Sequence, residues 1–383
     1  MTPFTSGDWI LNAGPFSTTL SPDRESSYSF DLEGRPLSWL IRETLFRRTL
    51  ASEVHGRSGQ GAGRDRWRLS GEEARAALAA VAACAAAAPR PEAGSELRDR
   101  LEAILRWDVD ALLDEAVRFR AAYEPIGILP PDQYRALVLQ ATIGCTWNRC
   151  AFCSFYQDRP FRARAPGAFR EHASRVAALL GKAAVLRDRI FLADGDALTL
   201  SNERLRPIFT VAREMFPDRP LAGFVEAHAG GRKPARDWSE LRALGLQRIC
   251  LGLESGHEPL LRLLNKPASA VEAGQVVRDL KTAGLSVAVV LLCGAGGERY
   301  ADPHVTDSLD LLRQLPLGAG DIVYLSPFVL HEGSEYARRL QEQGIRPLGT
   351  VAIEAQLAAL QAGTRAALPG VKAVRYDIRE FLY

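Results

Sequence analysis

Three of the six cysteines fall within nine positions, in the stretch "GCTWNRCAFCSFY" at 144–156: Cys145, Cys150 and Cys153. Clustered thiolates hold zinc or iron–sulfur centres, and those centres usually take four donors from the protein. The spacing C-x4-C-x2-C also opens the plant-type [2Fe-2S] pattern, but that pattern needs a fourth cysteine, and the next one here is the distant Cys250. A structural zinc site fails in the same way, since no Cys or His follows at ligand spacing and the nearest downstream histidine is His172. Three packed core thiols fit poorly beside Asn148, Arg149 and Gln157. What remains is a metal centre one protein ligand short, and an open metal position is useful when something reactive fills it. A non-catalytic iron–sulfur or zinc protein, using the loop for electron transfer or structure, stands as the alternative.

The elements that must carry this loop are legible as six apolar, partly β-branched runs: 136–142, 189–194, 221–227, 248–254, 287–293 and 321–327. Such runs read as buried parallel strands. Helical patterns lie between them, the clearest opened by a capping box at Ser269 and Glu272 and closed by Gly284. Alternating strands and helices give either a doubly wound sheet or a barrel-like one. In both, loops at the C-terminal ends of the strands build the site. Those ends carry the cysteines, "DGD" at 194–196, Glu226 and His228, "ESG" at 254–256 and "CGAGGE" at 293–298.

"GCTWNRCAFC" between a strand and "SFYQDRPFR" resembles the radical S-adenosylmethionine (SAM) superfamily, in a branch with four residues in the first gap. The resemblance covers about residues 135–335 and implies a partial (β/α)6 TIM-like barrel. It implies that Cys145, Cys150 and Cys153 hold three irons of a [4Fe-4S] cluster while SAM chelates the fourth, so that the missing ligand is the cosubstrate. It further implies reductive cleavage of SAM to a 5′-deoxyadenosyl radical that takes hydrogen from a substrate, with a small molecule, peptide or lipid precursor expected before RNA. Phe152 stands where the family places an aromatic residue against adenine. "ADGDAL" at 193–198 stands where the family has Gly-Gly-Glu for the SAM ammonium, giving Asp194, Gly195 and Asp196 that role, although Asp194 replaces a glycine and the acid is shorter. "GLESG" resembles the ribose-contacting motif, with Glu254 and Ser255, and "LLCGAGGE" the adenine-backing motif, with Gly294 and Ala295. Tyr156, Arg159, Arg162, Arg164, Glu226, His228 and Tyr324 are candidate substrate contacts, with the arginines read rather as pairing to Asp158 and neighbouring acids. A reductant such as flavodoxin or ferredoxin is the implied partner. No cobalamin signature D-x-H-x-x-G is present, and too few cysteines remain for an auxiliary cluster.

Composition is that of a globular protein, with 47% hydrophobic and 25% charged residues in 383. A formal net charge of +2 gives no global attraction to polyanions, so nucleic acid is not an expected partner. The N-terminus lacks a basic start and apolar core, and the Ala-rich run at 76–89 is too short to cross a bilayer. No membrane association is expected, and with cysteines spaced unlike a disulfide framework the expected location is cytoplasmic. The Ala-rich run reads as a soluble helix started by the box Ser70 and Glu73 and stopped by Pro89. Gly-rich 55–63 and Pro-containing 89–95 separate helical patterns near the N-terminus. The expected organisation is therefore a mainly helical N-terminal region (1–130), a radical SAM-like core (131–335) and a C-terminal capping segment (336–383). Cys250 and Cys293 read as small core residues.

Overall fold

The computed structural model describes residues 3–59, 65–380 and 383. Part of the Gly-rich separator at 55–63 and part of the C-terminal segment, at 381–382, lie outside the described residues. The chain divides into two compact units, one built from residues up to 125 with 174–187 and Tyr383, the other from 126–173 and from 188 to the end of the described run at 380.

The first unit corrects the expectation of a mainly helical N-terminal region. Its first part is an eight-stranded antiparallel meander running from Phe4–Ser6 to Asp65–Arg68, with each strand paired to the next. Three helices follow: Gly71–Ala87, Glu96–Ile104 and Val109–Ala122. The strands are short and half polar, as in "TTLS" and "SSYSF", because one face is solvated while the other is packed. Their period-2 signal spans only three to six residues each, too little to stand out against the helical patterns that follow. Leu11, Leu20, Tyr28 and Trp39 meet Leu78, Val81, Leu101 and Leu112 from the helices in one core. The box at Ser70 and Glu73 starts its helix as expected, with both reciprocal bonds made.

The second unit holds the site. Seven parallel strands, Leu137–Gln140, Ile190–Ala193, Leu221–Val225, Leu246–Glu254, Ser286–Cys293, Ile322–Pro327 and Lys372–Arg375, lie side by side in sequence order. Unreversed order leaves no switch point in the sheet, which decides for a partial α/β barrel over a doubly wound sheet. The first six strands match the six apolar runs and are almost wholly buried, as strands covered on both faces must be. The seventh comes from the segment expected to be a cap. It has one buried residue, Ala373, among Lys372, Val374 and Arg375, so its pattern is that of an edge rather than an apolar run. Inside the barrel, Cys250, Ala288, Val290, Ile322, Tyr324 and Tyr376 pack together, with Ile128, Phe224 and Ile378 against them. Among the described residues, no helix is long and apolar enough to cross a membrane.

Candidate active site

The cysteine loop leaves the first barrel strand and is pinned from two sides. From below, Asp194 is 2% exposed and accepts from the Gly144 backbone N–H at 3.1 Å and from Gln140 Nε2 at 3.0 Å. Asp196, fully buried, accepts from the Thr146 N–H at 3.1 Å and from the Thr146 hydroxyl. Burial pushes the Asp196 carboxyl up to about 6, against the opposing pull of the Thr146 bonds. From the side, the loop is tied to the segment after a short helix, Glu258–Leu263. The Trp147 indole N–H donates to the Asn265 carbonyl at 2.9 Å, Asn265 Nδ2 to the Arg149 carbonyl at 2.6 Å, and the Ala151 N–H to the Leu264 carbonyl at 2.9 Å.

Within the loop, Asn148 takes φ +47° and donates from Nδ2 to the Tyr156 carbonyl at 2.7 Å. Asn tolerates this left-handed conformation better than other side chains. Asn148→Ala is expected to cost about 2 kcal/mol, roughly half from the backbone conformation and half from the lost bond. Asn148→Gly, which keeps the conformation, should cost less. Urea midpoints of the two variants check this, and equal losses would show that the conformation contributes nothing.

Cys145, Cys150 and Cys153 are half-buried, unpaired with one another, and line one cavity of about 230 Å³ at the C-terminal mouth of the strands. Burial raises all three thiols, Cys145 to about 11 and Cys150 to about 12. Three thiolates can therefore coexist here only against a strong positive charge such as bound metal. Among the described residues, no three Cys, His, Asp or Glu side chains converge as the ligands of a single ion would.

The opposite wall carries Glu254, Glu226 and Lys266. The fourth barrel strand has an extra residue near its end, where the register with the fifth shifts between Gly252 and Glu254. Such a bulge re-aims the following side chain, and Glu254 sits at φ +61° with its carboxylate folded over Gly252. A Cβ at Gly252 would collide with that carboxylate. Lys266 Nζ lies 3.4 Å from Glu254 Oε1 and 4.0 Å from Glu226 Oε1, with all three side chains at most 10% exposed. Burial raises Glu254, only partly offset by Lys266, while the carboxylates and Cys150 outweigh the desolvation of Lys266 and hold it firmly charged. Glu226 uses Oε2 to cap Ala227–Gly230, and its buried Oε1 accepts no hydrogen bond.

Of the residues singled out in the sequence, Cys145, Cys150, Cys153, Phe152, Gly195 and Glu254 share this cavity, together with Tyr156 and Glu226. Asp194 and Asp196 turn instead toward the base of the cysteine loop. Ser255, fully buried, bonds His304 Nδ1 at 2.8 Å behind the wall. The Gly294 N–H donates to Gln356 Oε1 at 2.6 Å, and Ala295 packs in a fully buried core that Phe152 also touches. Arg159 pairs with Asp158 at 2.8 Å, and the Tyr324 hydroxyl donates to Asp132 at 2.7 Å inside the unit. Arg162 belongs to a two-residue strand beside Thr142–Ile143, and the Arg164 backbone N–H donates to the Ala141 carbonyl. His228 faces a neighbouring cleft. Lys266, Trp147 and His331 also line the cavity and were missed. Trp147 sits inside the cysteine motif and could have been noticed there, whereas a single lysine before Pro267 carries no sequence signal.

Residues 139–312, a little under half of the chain, match the family model of the Radical SAM superfamily. Members of that superfamily use a [4Fe-4S] cluster and SAM. No curated protein matches. Among solved structures, the chain is similar to the cobalamin-dependent S-adenosylmethionine radical enzyme OxsB, with 16% identity, 68% of this chain and 34% of that one covered, and a TM-score of 0.41. It is likewise similar to coproporphyrinogen III oxidase (HemN) from Escherichia coli, with 15% identity over 66% of this chain and 55% of that one, TM-score 0.46. Methylornithine synthase (PylB) gives 15% identity over 63% and 70%, TM-score 0.42. The chain thus spans about a third of the length of OxsB.

Proposed function

We propose that this protein is a radical SAM enzyme in which Cys145, Cys150 and Cys153 hold a [4Fe-4S] cluster and the opposite wall holds SAM. The observation that carries the reading is that three thiols from one loop share a cavity with two carboxylates and a buried ammonium. When bound, the cluster and SAM supply the reductive cleavage that generates a hydrogen-abstracting 5′-deoxyadenosyl radical.

The chain's own contribution is binding, orientation and exclusion of water. Lys266 is the one Lys or Arg among the described residues lining the cavity, so it is the natural partner for the SAM carboxylate. The unpartnered Glu226 Oε1 accepts from the SAM ammonium, which would satisfy a buried acceptor otherwise left without a donor. Glu254 accepts from the ribose hydroxyls, and Phe152 offers a ring face to adenine. Gly195 keeps the floor low: a Cβ there would lie 2.8 Å from the Tyr156 ring and 3.2 Å from Cys145 Cβ.

Deeper in the barrel the cavity is lined by Ile128, Phe224, Val290, Tyr376 and Ile378. Among the described lining residues no arginine faces this space, so the portion of substrate that meets the radical is apolar, in keeping with a small-molecule or lipid-like precursor rather than RNA. A reductant such as flavodoxin or ferredoxin completes the reaction.

Anaerobically reconstituted, dithionite-reduced protein should convert SAM to 5′-deoxyadenosine and methionine. A preparation with full iron content and no such product would overturn the proposal. Deuterium transfer into 5′-deoxyadenosine from fractionated labelled extract would then identify the substrate.

A further inference from the structure

A second cleft, of about 500 Å³, opens on the outer side of the cysteine loop. Its lining includes Thr146 and Trp147 from that loop, Arg204, and His228 and Arg232. Trp147 and Glu226 line both this cleft and the inner cavity, so a single layer of side chains separates the outer floor from the cysteines.

The charge of this rim is predominantly positive. Arg204 and Arg232 are exposed, and Arg149, exposed on the cysteine loop, lies with its guanidinium 5.6 Å from the centre of the Trp147 ring. Arg232 reaches His228 Nε2 at 3.3 Å, a cation beside an imidazole rather than beside an acid. Ion pairs elsewhere in this unit engage other arginines, such as Arg159 with Asp158 and Arg206 with Glu240. Among the described residues lining the cleft the one acid, Glu226, is 10% exposed and lies beside Lys266. The helix Asn202–Met215 starts at the cleft edge with no side-chain cap at Ser201, which adds the positive end of its dipole. Exposed arginines that outnumber the nearby acids, Glu226 and the Glu272 that interacts with His228, raise the potential over a concave surface and steer an anionic partner to it.

We propose that this cleft docks an acidic one-electron carrier protein, placing its redox group over Trp147 on the short path to the cysteines. The inference rests on the radical SAM reading and adds where the reductant binds. Each encounter oxidises the carrier by one electron and reduces the cysteine-held centre by one, with no proton or leaving group transferred. A small acidic carrier fits better than nucleic acid, because the cationic rim is confined to the margin of one cleft and offers no extended track for a backbone.

The test uses the holoenzyme and fully reduced flavodoxin as probe. Arg204→Glu with Arg232→Glu should weaken flavodoxin binding by about tenfold or more, mainly through a slower association rate, and should flatten its dependence on salt. The pair Arg204→Lys and Arg232→Lys should retain most of the binding. Dithionite needs no docking surface, so dithionite-driven SAM cleavage should be equal in both variants and the parent, which separates loss of docking from loss of fold or site. Unchanged flavodoxin affinity and association rate in the Glu pair would overturn the proposal, as would loss of single-stranded RNA binding with flavodoxin binding intact. If the parent fails to cleave SAM with dithionite, the radical SAM reading falls, while the binding measurement still decides whether the cleft docks the carrier.

Discussion

Cys150→Ala is expected to leave a folded but colourless protein with no measurable SAM cleavage, a loss of roughly three orders of magnitude or more. The thiol comes from the middle of a loop whose two flanks are fixed independently of it, by Asp194 and Asp196 at one end and by Leu264 and Asn265 at the other. Nothing replaces it: Cys250 is 1% exposed inside the barrel and Cys293 is fully buried among apolar residues. Removing a thiol that burial already holds at about 12 takes away a proposed cluster ligand while sparing the fold. Iron content, the visible spectrum and the yield of 5′-deoxyadenosine are the readouts, with a urea midpoint to show that the fold survives. A variant that keeps its brown colour and turnover would refute the ligand assignment.

Lys266→Met should be strongly destabilising, costing about 3–5 kcal/mol near neutral pH. Methionine fills much of the volume but leaves Glu254 and Glu226 facing each other without a cation. The sign with pH follows from Glu254, whose carboxyl burial already lifts above its unfolded value. A group raised in this way contributes favourably below the unfolded pKa and loses that contribution as pH rises through the folded pKa. Without Lys266 the folded value climbs further, so the deficit of the variant should be small near pH 4–5 and widen toward pH 8. Chemical unfolding of the cluster-free protein at pH 5 and pH 8 measures it, and a deficit of equal size at both would mean that lost packing, not charge, is responsible. SAM affinity in the reconstituted variant should fall as well.

The barrel was legible because its strands are buried on both faces and therefore written as unbroken apolar runs, which composition alone exposes. Capping boxes at Ser70 and Ser269 marked helix starts for an equally local reason, since each is four residues of self-contained hydrogen bonding. The eight-stranded meander was not legible, because each of its strands pairs with a neighbour supplied by another hairpin and its own half-polar alternation is brief. In the site, the thiols and Glu254 could be placed because they sit at strand ends. The orientation of Asp194 and Asp196 could not, because it depends on backbone N–H groups of Gly144 and Thr146 fifty residues away. Lys266 escaped for a similar reason, since its meaning comes from two carboxylates beyond or at the ends of other strands, Glu226 and Glu254.

The parallel sheet ends on one margin at Leu137–Gln140 and on the other at Lys372–Arg375, and those two strands are not paired with each other. A ring left unjoined is not limited by its bore. A guest can slide in edgewise, and its permitted girth is set by whatever lies along the gap rather than by the count of staves, so descendants of one such framework can change clientele by altering that border while leaving the cysteine loop untouched.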